Sequence, residues 1–157
     1  MLLQGALIVA LVVAVRAFTA HDMAEGPAPP FVAELVDGQS VTLADYAGEP
    51  LLLHFWATWC PICRLEEGEI LRLSRSFAVL TVATRSGSHD EIATYLGDRG
   101  YRSKVIADVD GSLADRYQVR GVPATFVIDG DGRILFRKQG YAPPFELQFR
   151  LWLARSS

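Results

Sequence analysis

The chemistry in this chain is concentrated at Trp59-Cys60-Pro61-Ile62-Cys63, where two thiols stand three residues apart between an apolar run and a helix-forming stretch. Pro61 suits the first helical position, because its missing N–H would have no partner there in any case. Cys60 then becomes the N-cap. In that place its sulfur can accept from the N–H groups of Ile62 and Cys63, and the positive end of the helix dipole favours a thiolate. Such an environment lowers a thiol pKa. Cys63 lies one turn along the same helix, near enough for a disulfide and deep enough to be shielded. Cys60 is expected to be the exposed, attacking thiol and Cys63 the resolving one.

Other uses of two cysteines fit less well. Tetrahedral zinc would need two further ligands, and the histidines at 21, 54 and 89 are scattered without a His-x-x-x-His spacing. A purely structural bridge across so short a loop gains little chain entropy. Asp129-Gly130-Asp131-Gly132 resembles the start of a calcium loop, but Arg133 and Gly140 stand where oxygen ligands are required, so it reads as a turn. No metal site and no bound cofactor are expected.

The elements around the pair alternate between strand and helix. Residues 31–36 and 40–43 flank Asp37-Gly38 as a hairpin, and residues 51–56 form a nearly continuous apolar run suited to a central strand. A helix is predicted over 61–77 and a strand over 79–83. Ser88-His89-Asp90-Glu91 opens a further helix with a capping box, carries Ile92, Tyr95 and Leu96 on one face, and ends at Gly97 or Gly100. A strand over 105–107, a short helix over 112–117, a hairpin of 124–128 with 134–136, and an amphipathic helix over 145–153 complete the chain. This order predicts an α/β fold, a mixed central sheet with helices on both faces.

The chain's 157 residues allow one such domain and a tail. A formal charge of −3 with no basic run argues against a nucleic-acid partner. The positive mean hydropathy of +0.21 has a local source in residues 2–15, apolar except for Gln4 and Gly5. As a helix, residues 1–20 would reach about 30 Å, enough to span a bilayer if Arg16 snorkels to an interface. The segment reads as an uncleaved membrane anchor, with a cleaved signal peptide as the rival. Its one flanking basic residue lies after the segment, against the positive-inside bias, which leads to the expectation that a short basic N-terminus precedes Met1. Residues 21–30, with three prolines and no periodicity, read as a semi-rigid spacer, and the folded domain is expected over 31–157.

The run Phe55-Trp56-Ala57-Thr58-Trp59-Cys60-Pro61-Ile62-Cys63-Arg64, followed by Gly121-Val122-Pro123-Ala124-Thr125-Phe126, resembles membrane-anchored thioredoxin-fold proteins of the TlpA, ResA and CcmG type. The resemblance covers about residue 31 to the C-terminus. Arg85-Ser86-Gly87 and Leu151-Trp152-Leu153 are similar to the ScsD branch, linked to copper tolerance. It implies a three-layer thioredoxin-like fold with an N-terminal hairpin extension, and thiol–disulfide exchange without a cofactor. It also implies a cis Pro123 facing the Cys60 sulfur and a Val122 backbone that pairs with an extended substrate peptide. Trp59 and Pro61 would border that peptide. The implied partners are protein disulfides and a DsbD-like or CcdA-like membrane electron donor, with the domain facing the periplasm.

Two further residues bear on proton transfer. Glu66 falls in the middle of the stripe formed with Ile70, Leu73 and Phe77, where a carboxylate is costly unless paired or protonated; this marks it as a proton acceptor for Cys63. The resemblance implies the same role, since the family pattern has Glu three residues after the second cysteine. The alternative is a Glu tilted to solvent or paired with Arg64. His54 departs from thioredoxin, which has a buried Asp six residues before the first cysteine. Its imidazole could relay protons near neutral pH or be a hydrogen-bonded core histidine. The rival function is a Cu(I)-binding module on the same two thiolates.

Overall fold

The computed structural model describes residue 11 and residues 23–101 and 103–155. The expected anchor at 1–20 lies outside them except for Leu11. Among the described residues no helix is long and apolar enough to cross a membrane.

Six strands form one sheet in the order β1-β8-β7-β4-β5-β6. These are β1 (Gly26–Pro27), β4 (Leu51–Trp56), β5 (Ala78–Thr84), β6 (Lys104–Asp108), β7 (Ala124–Ile128) and β8 (Arg133–Gln139). The β4–β5 and β5–β6 pairs are parallel, and β4–β7, β7–β8 and β1–β8 antiparallel. A separate hairpin, β2 (Val32–Glu34) with β3 (Ser40–Thr42), is the expected N-terminal extension. The helices are α1 (Pro61–Leu73), α2 (His89–Asp98), α3 (Ser112–Arg116) and α4 (Pro144–Ala154).

β4 is buried along its whole length because both of its faces are covered. Leu51, Leu53 and Phe55 point into one layer with Phe31, Tyr117 and Phe126, whose rings meet edge-on or tilted at 5.1–6.5 Å. Leu52 points to the other side, into a cluster with Ile70 and Leu73 of α1 and Leu147 and Leu151 of α4. The period of two puts His54 and Trp56 on that same side, so the central strand presents an imidazole to the helix that carries the cysteines.

Two expectations need revision. The stretch expected to be a spacer is built into the fold from Met23: Met23, Ala24 and Ala28 are buried, the Ala24 N–H donates to the Tyr117 carbonyl, and β1 pairs with β8. An edge position tolerates the prolines, and the order comes from distant partners that local periodicity does not reveal. α1 stops at Leu73 rather than Phe77, with Ser74 as C-cap and the Ser74 hydroxyl turned onto the Leu71 carbonyl. Phe77 still packs on the core. The α2 capping box forms as expected, with the Ser88 N–H donating to Glu91 Oε2 at 2.7 Å and the Glu91 N–H to Ser88 Oγ at 3.3 Å. The turn at 129–132 uses its own carboxylate: Asp129 Oδ1 accepts from the N–H groups of Asp131 and Arg133, and Gly132 takes φ +77°.

Candidate active site

Cys60 caps α1, and its sulfur accepts from the Cys63 N–H at 3.2 Å; Pro61 opens the helix as expected. The two cysteines are joined as a disulfide with Cα atoms 5.4 Å apart. The Val122–Pro123 bond is cis, and the Val122 carbonyl oxygen lies 3.8 Å from the Cys60 sulfur. Exposure does not separate the thiols: Cys60 is 4% and Cys63 5% exposed, which corrects the expectation of an open Cys60. The strand end at Val122–Pro123, brought in from 62 residues away, covers the first sulfur. What distinguishes Cys60 is its place at the helix N-terminus, where the dipole acts most strongly.

The loop before Cys60 is held by a segment that turns through an unusual backbone geometry. Arg85 has φ +46°, and its carbonyl accepts from the Trp59 indole N–H at 3.0 Å. The Thr58 N–H donates to Ser86 Oγ at 3.1 Å, and Ser86 passes its own hydroxyl hydrogen to the Thr84 carbonyl. Trp59 therefore stands out beside the disulfide, 61% exposed yet fixed in orientation, and Pro61 is also exposed. Trp56 turns inward against Tyr95 and Tyr101.

Glu66 is buried, and neither solvent nor Arg64 is its partner, since Arg64 donates to the Thr58 carbonyl. Its Oε1 accepts from the Ala142 N–H at 2.6 Å, while Oε2 has no hydrogen bond and lies 3.9 Å from His54 Nε2. On the other edge of the imidazole, Nδ1 meets Thr125 Oγ1 at 2.9 Å. Burial pushes the Glu66 carboxyl up to about 7, against the opposing pull of the Ala142 N–H and the Lys138 charge. Burial also pushes His54 down to about 4. Of the two readings of His54, the hydrogen-bonded core histidine is the one this geometry favours: near neutral pH the carboxyl titrates and the imidazole stays uncharged. Cys63 and His54 line one small cavity together with Glu67, which pairs at 3.5 Å with Arg99, the C-cap of α2.

Sequence reasoning missed Thr125, Lys138 and Ala142. Thr125 sits inside the Gly121–Phe126 motif and could have been suspected, being paired in register with His54. Lys138 and Ala142 reach Glu66 only through the fold, and no local signal points to them.

The His54 environment has a measurable consequence. Between pH 6.5 and 4 the unfolded chain binds a proton that the folded ring refuses, so this residue lowers stability as pH falls through that window. His54→Asn is expected to remove on the order of 3 kcal/mol of the acid-limb loss, read as the difference between denaturant midpoints at pH 7 and pH 4.5 in the two proteins. Parallel midpoints across that range would contradict a neutral buried imidazole.

The sheet order and the placement of the dithiol against a cis-proline are those of the thioredoxin-like class. Within it, the chain belongs to the AhpC/TSA family, whose model matches residues 24–137. Over 112 residues, 69% of this chain and 63% of the relative, it is 31% identical to the thiol-disulfide oxidoreductase ResA of Bacillus subtilis. Over 106 residues, 67% of this chain and 55% of the relative, it is 34% identical to the thiol:disulfide interchange protein DsbE of Escherichia coli. These matches span between half and two thirds of the relatives' lengths. Among solved structures, the exposed lipoprotein thioredoxin of Streptococcus pneumoniae superposes with a TM-score of 0.73 at 26% identity, covering 79% of this chain and 98% of that one.

Proposed function

We propose that this protein is a membrane-tethered thiol–disulfide oxidoreductase that faces the periplasm and reduces protein disulfides through Cys60 and Cys63. The observation that carries the reading is the Cys60 sulfur at the α1 N-terminus, set 3.8 Å from the Val122 carbonyl beside cis Pro123. In the reduced state the Cys60 thiolate attacks one sulfur of a substrate disulfide, forming a mixed disulfide and releasing one substrate thiolate. The Cys63 thiolate then attacks the Cys60 sulfur, closing the protein's disulfide and releasing the second. Two electrons pass to the substrate, and each substrate thiolate takes a proton.

Glu66 is the acceptor for the Cys63 proton, since it lies one helical turn from that thiol and its pKa of about 7 suits exchange at neutral pH. His54 positions this carboxyl from the strand side as a neutral neighbour held by Thr125. Val122, Pro123, Trp59 and Pro61 border the substrate chain, with the Val122 backbone offering hydrogen bonds to an extended peptide.

The apolar segment at 2–15 supports the tether, and the similarity to an exposed lipoprotein thioredoxin of Streptococcus pneumoniae supports a location outside the cytoplasm. In an oxidising periplasm a reductant needs a source of electrons, and a tether keeps it close to a membrane donor of the DsbD or CcdA kind at high effective concentration. Thiol-alkylation gel shifts on whole cells are expected to find Cys60 and Cys63 mostly reduced, and oxidised once the donor is deleted. A pair that is oxidised in wild-type cells and indifferent to the donor would make the protein an oxidant or isomerase. The rival reading, Cu(I) on the two thiolates, is separated by measuring copper on the reduced chain beside its turnover of a protein disulfide.

A further inference from the structure

β4, β7 and β8 pair in register, so on the side of the sheet that faces α1 and α4 their side chains form rows across the strands. One row, Leu52, Val127 and Phe136, is apolar and packs against both helices. The next row, one step closer to the cysteines, is polar. It consists of His54, Thr125 and Lys138, and such groups are costly in an apolar layer unless each finds a partner. His54 Nδ1 and Thr125 Oγ1 meet at 2.9 Å, while Lys138 Nζ donates to Glu146 Oε2 of α4 at 2.5 Å. Lys138 and Glu146 are 20% and 26% exposed, so water screens their charges only in part.

Glu66 of α1 lies against this row without joining the ion pair. Its Oε1 accepts from the N–H of Ala142, four residues before Glu146, and its Oε2 has no hydrogen bond. Other charged side chains around it are turned elsewhere. On α1, Arg64 donates to the Thr58 carbonyl, Glu67 pairs with Arg99 and Glu69 with Arg72. On α4, Arg150 lies over the Phe136 ring at 4.8 Å, and on β8 Arg137 pairs with Glu25. Facing the carboxyl are His54 from β4 and Lys138 from β8, with Cys63 one turn before it on α1. His54 is neutral near pH 7, so the charge that acts on Glu66 there is that of Lys138, and Glu146 competes for it.

We propose that Lys138 and Glu146 are positioning residues that govern proton uptake by Glu66: Lys138 draws the carboxylate form, and Glu146 restrains it by holding the ammonium against α4. The inference rests on the role of Glu66 as acceptor for the Cys63 proton and adds two residues from elements that carry neither cysteine. The two act with opposite sign. Without the ammonium, less remains to offset burial, and the Glu66 carboxyl keeps its proton to higher pH. Without Glu146, the ammonium turns to Glu66, whose carboxyl then ionises at lower pH. An ion pair that only braced α4 on the sheet would respond alike to the loss of either member.

The test uses the full chain in phosphatidylcholine nanodiscs. The Glu66 carboxyl is titrated in the oxidised protein by carbon-13 NMR, its signal identified by its absence in Glu66→Gln, and single-turnover resolution of a mixed disulfide is followed across the same pH range. Lys138→Met, with Lys138→Gln as a polar second variant, is expected to raise both inflections by about one pH unit, and Glu146→Ala to lower them by about as much. Lys138→Arg keeps the charge and is expected to leave both near wild type. Added to Lys138→Met, Glu146→Ala is expected to have almost no further effect, because it acts through the ammonium. Inflections that do not move in the Lys138 and Glu146 variants, that move in the same direction in both, or that Glu146→Ala lowers equally without Lys138 would overturn the proposal. A resolving step that keeps its inflection in Glu66→Gln would instead remove the role assigned to Glu66.

Discussion

Cys60→Ser is expected to abolish exchange with protein disulfides, lowering the rate on the order of 10³-fold or more, because no other thiol occupies the helix N-terminus. Cys63→Ser is expected to behave differently. It keeps the attacking thiolate and loses the group that releases the substrate, so mixed disulfides through Cys60 accumulate and survive non-reducing electrophoresis. Since the two residues are almost equally buried, this asymmetry depends on electrostatics and on the approach past Val122 and Pro123 rather than on exposure. Equal trapping by both variants would remove the assigned roles.

The second large effect belongs to Glu66. A carboxyl whose pKa rises from 4.5 to about 7 on folding binds more protons in the native state than in the unfolded one between those values. Stability contributed by the protonated form is therefore full below pH 4.5 and is lost as pH rises through 7, by on the order of 3 kcal/mol. Glu66→Gln keeps an acceptor oxygen for the Ala142 N–H and cannot ionise, so its stability relative to wild type is expected to grow by that amount between pH 4.5 and pH 8. In the same variant the resolving step is expected to slow about 10²-fold and to lose its inflection near pH 7. Denaturant midpoints and single-turnover resolution of a mixed disulfide, both measured across that range, check the two halves. A wild-type inflection near pH 7 that persists in Glu66→Gln would assign the proton to another group.

Where sequence and structure agree, the determinants are local. The six apolar residues of β4, the Cys60 cap with Pro61 after it, and the Ser88–Glu91 capping box each satisfy their own hydrogen bonds or burial within a few residues. Glu66 was legible for a related reason: a carboxylate on an apolar helical stripe must find a buried partner or keep its proton. The disagreements arise from long-range contacts. Met23 to Ala28 carry no periodic signal, yet Tyr117 and Gly132 supply their hydrogen bonds. Cys60 looked open because the cap position alone does not reveal Val122 and Pro123 above it. The choice between the two readings of His54 depended on burial, which acts on His54 and Glu66 at once and favours the neutral form of each.

On the proposed function, Cys60 and Cys63 together deliver two electrons to a protein disulfide. Mass spectrometry of the fully reduced chain after mixing with insulin tests it most directly. The expected product is a chain two hydrogens lighter, with Cys60 and Cys63 joined and two new thiols on the insulin for each chain oxidised. A chain of unchanged mass, with both cysteines still free beside intact insulin, would contradict it.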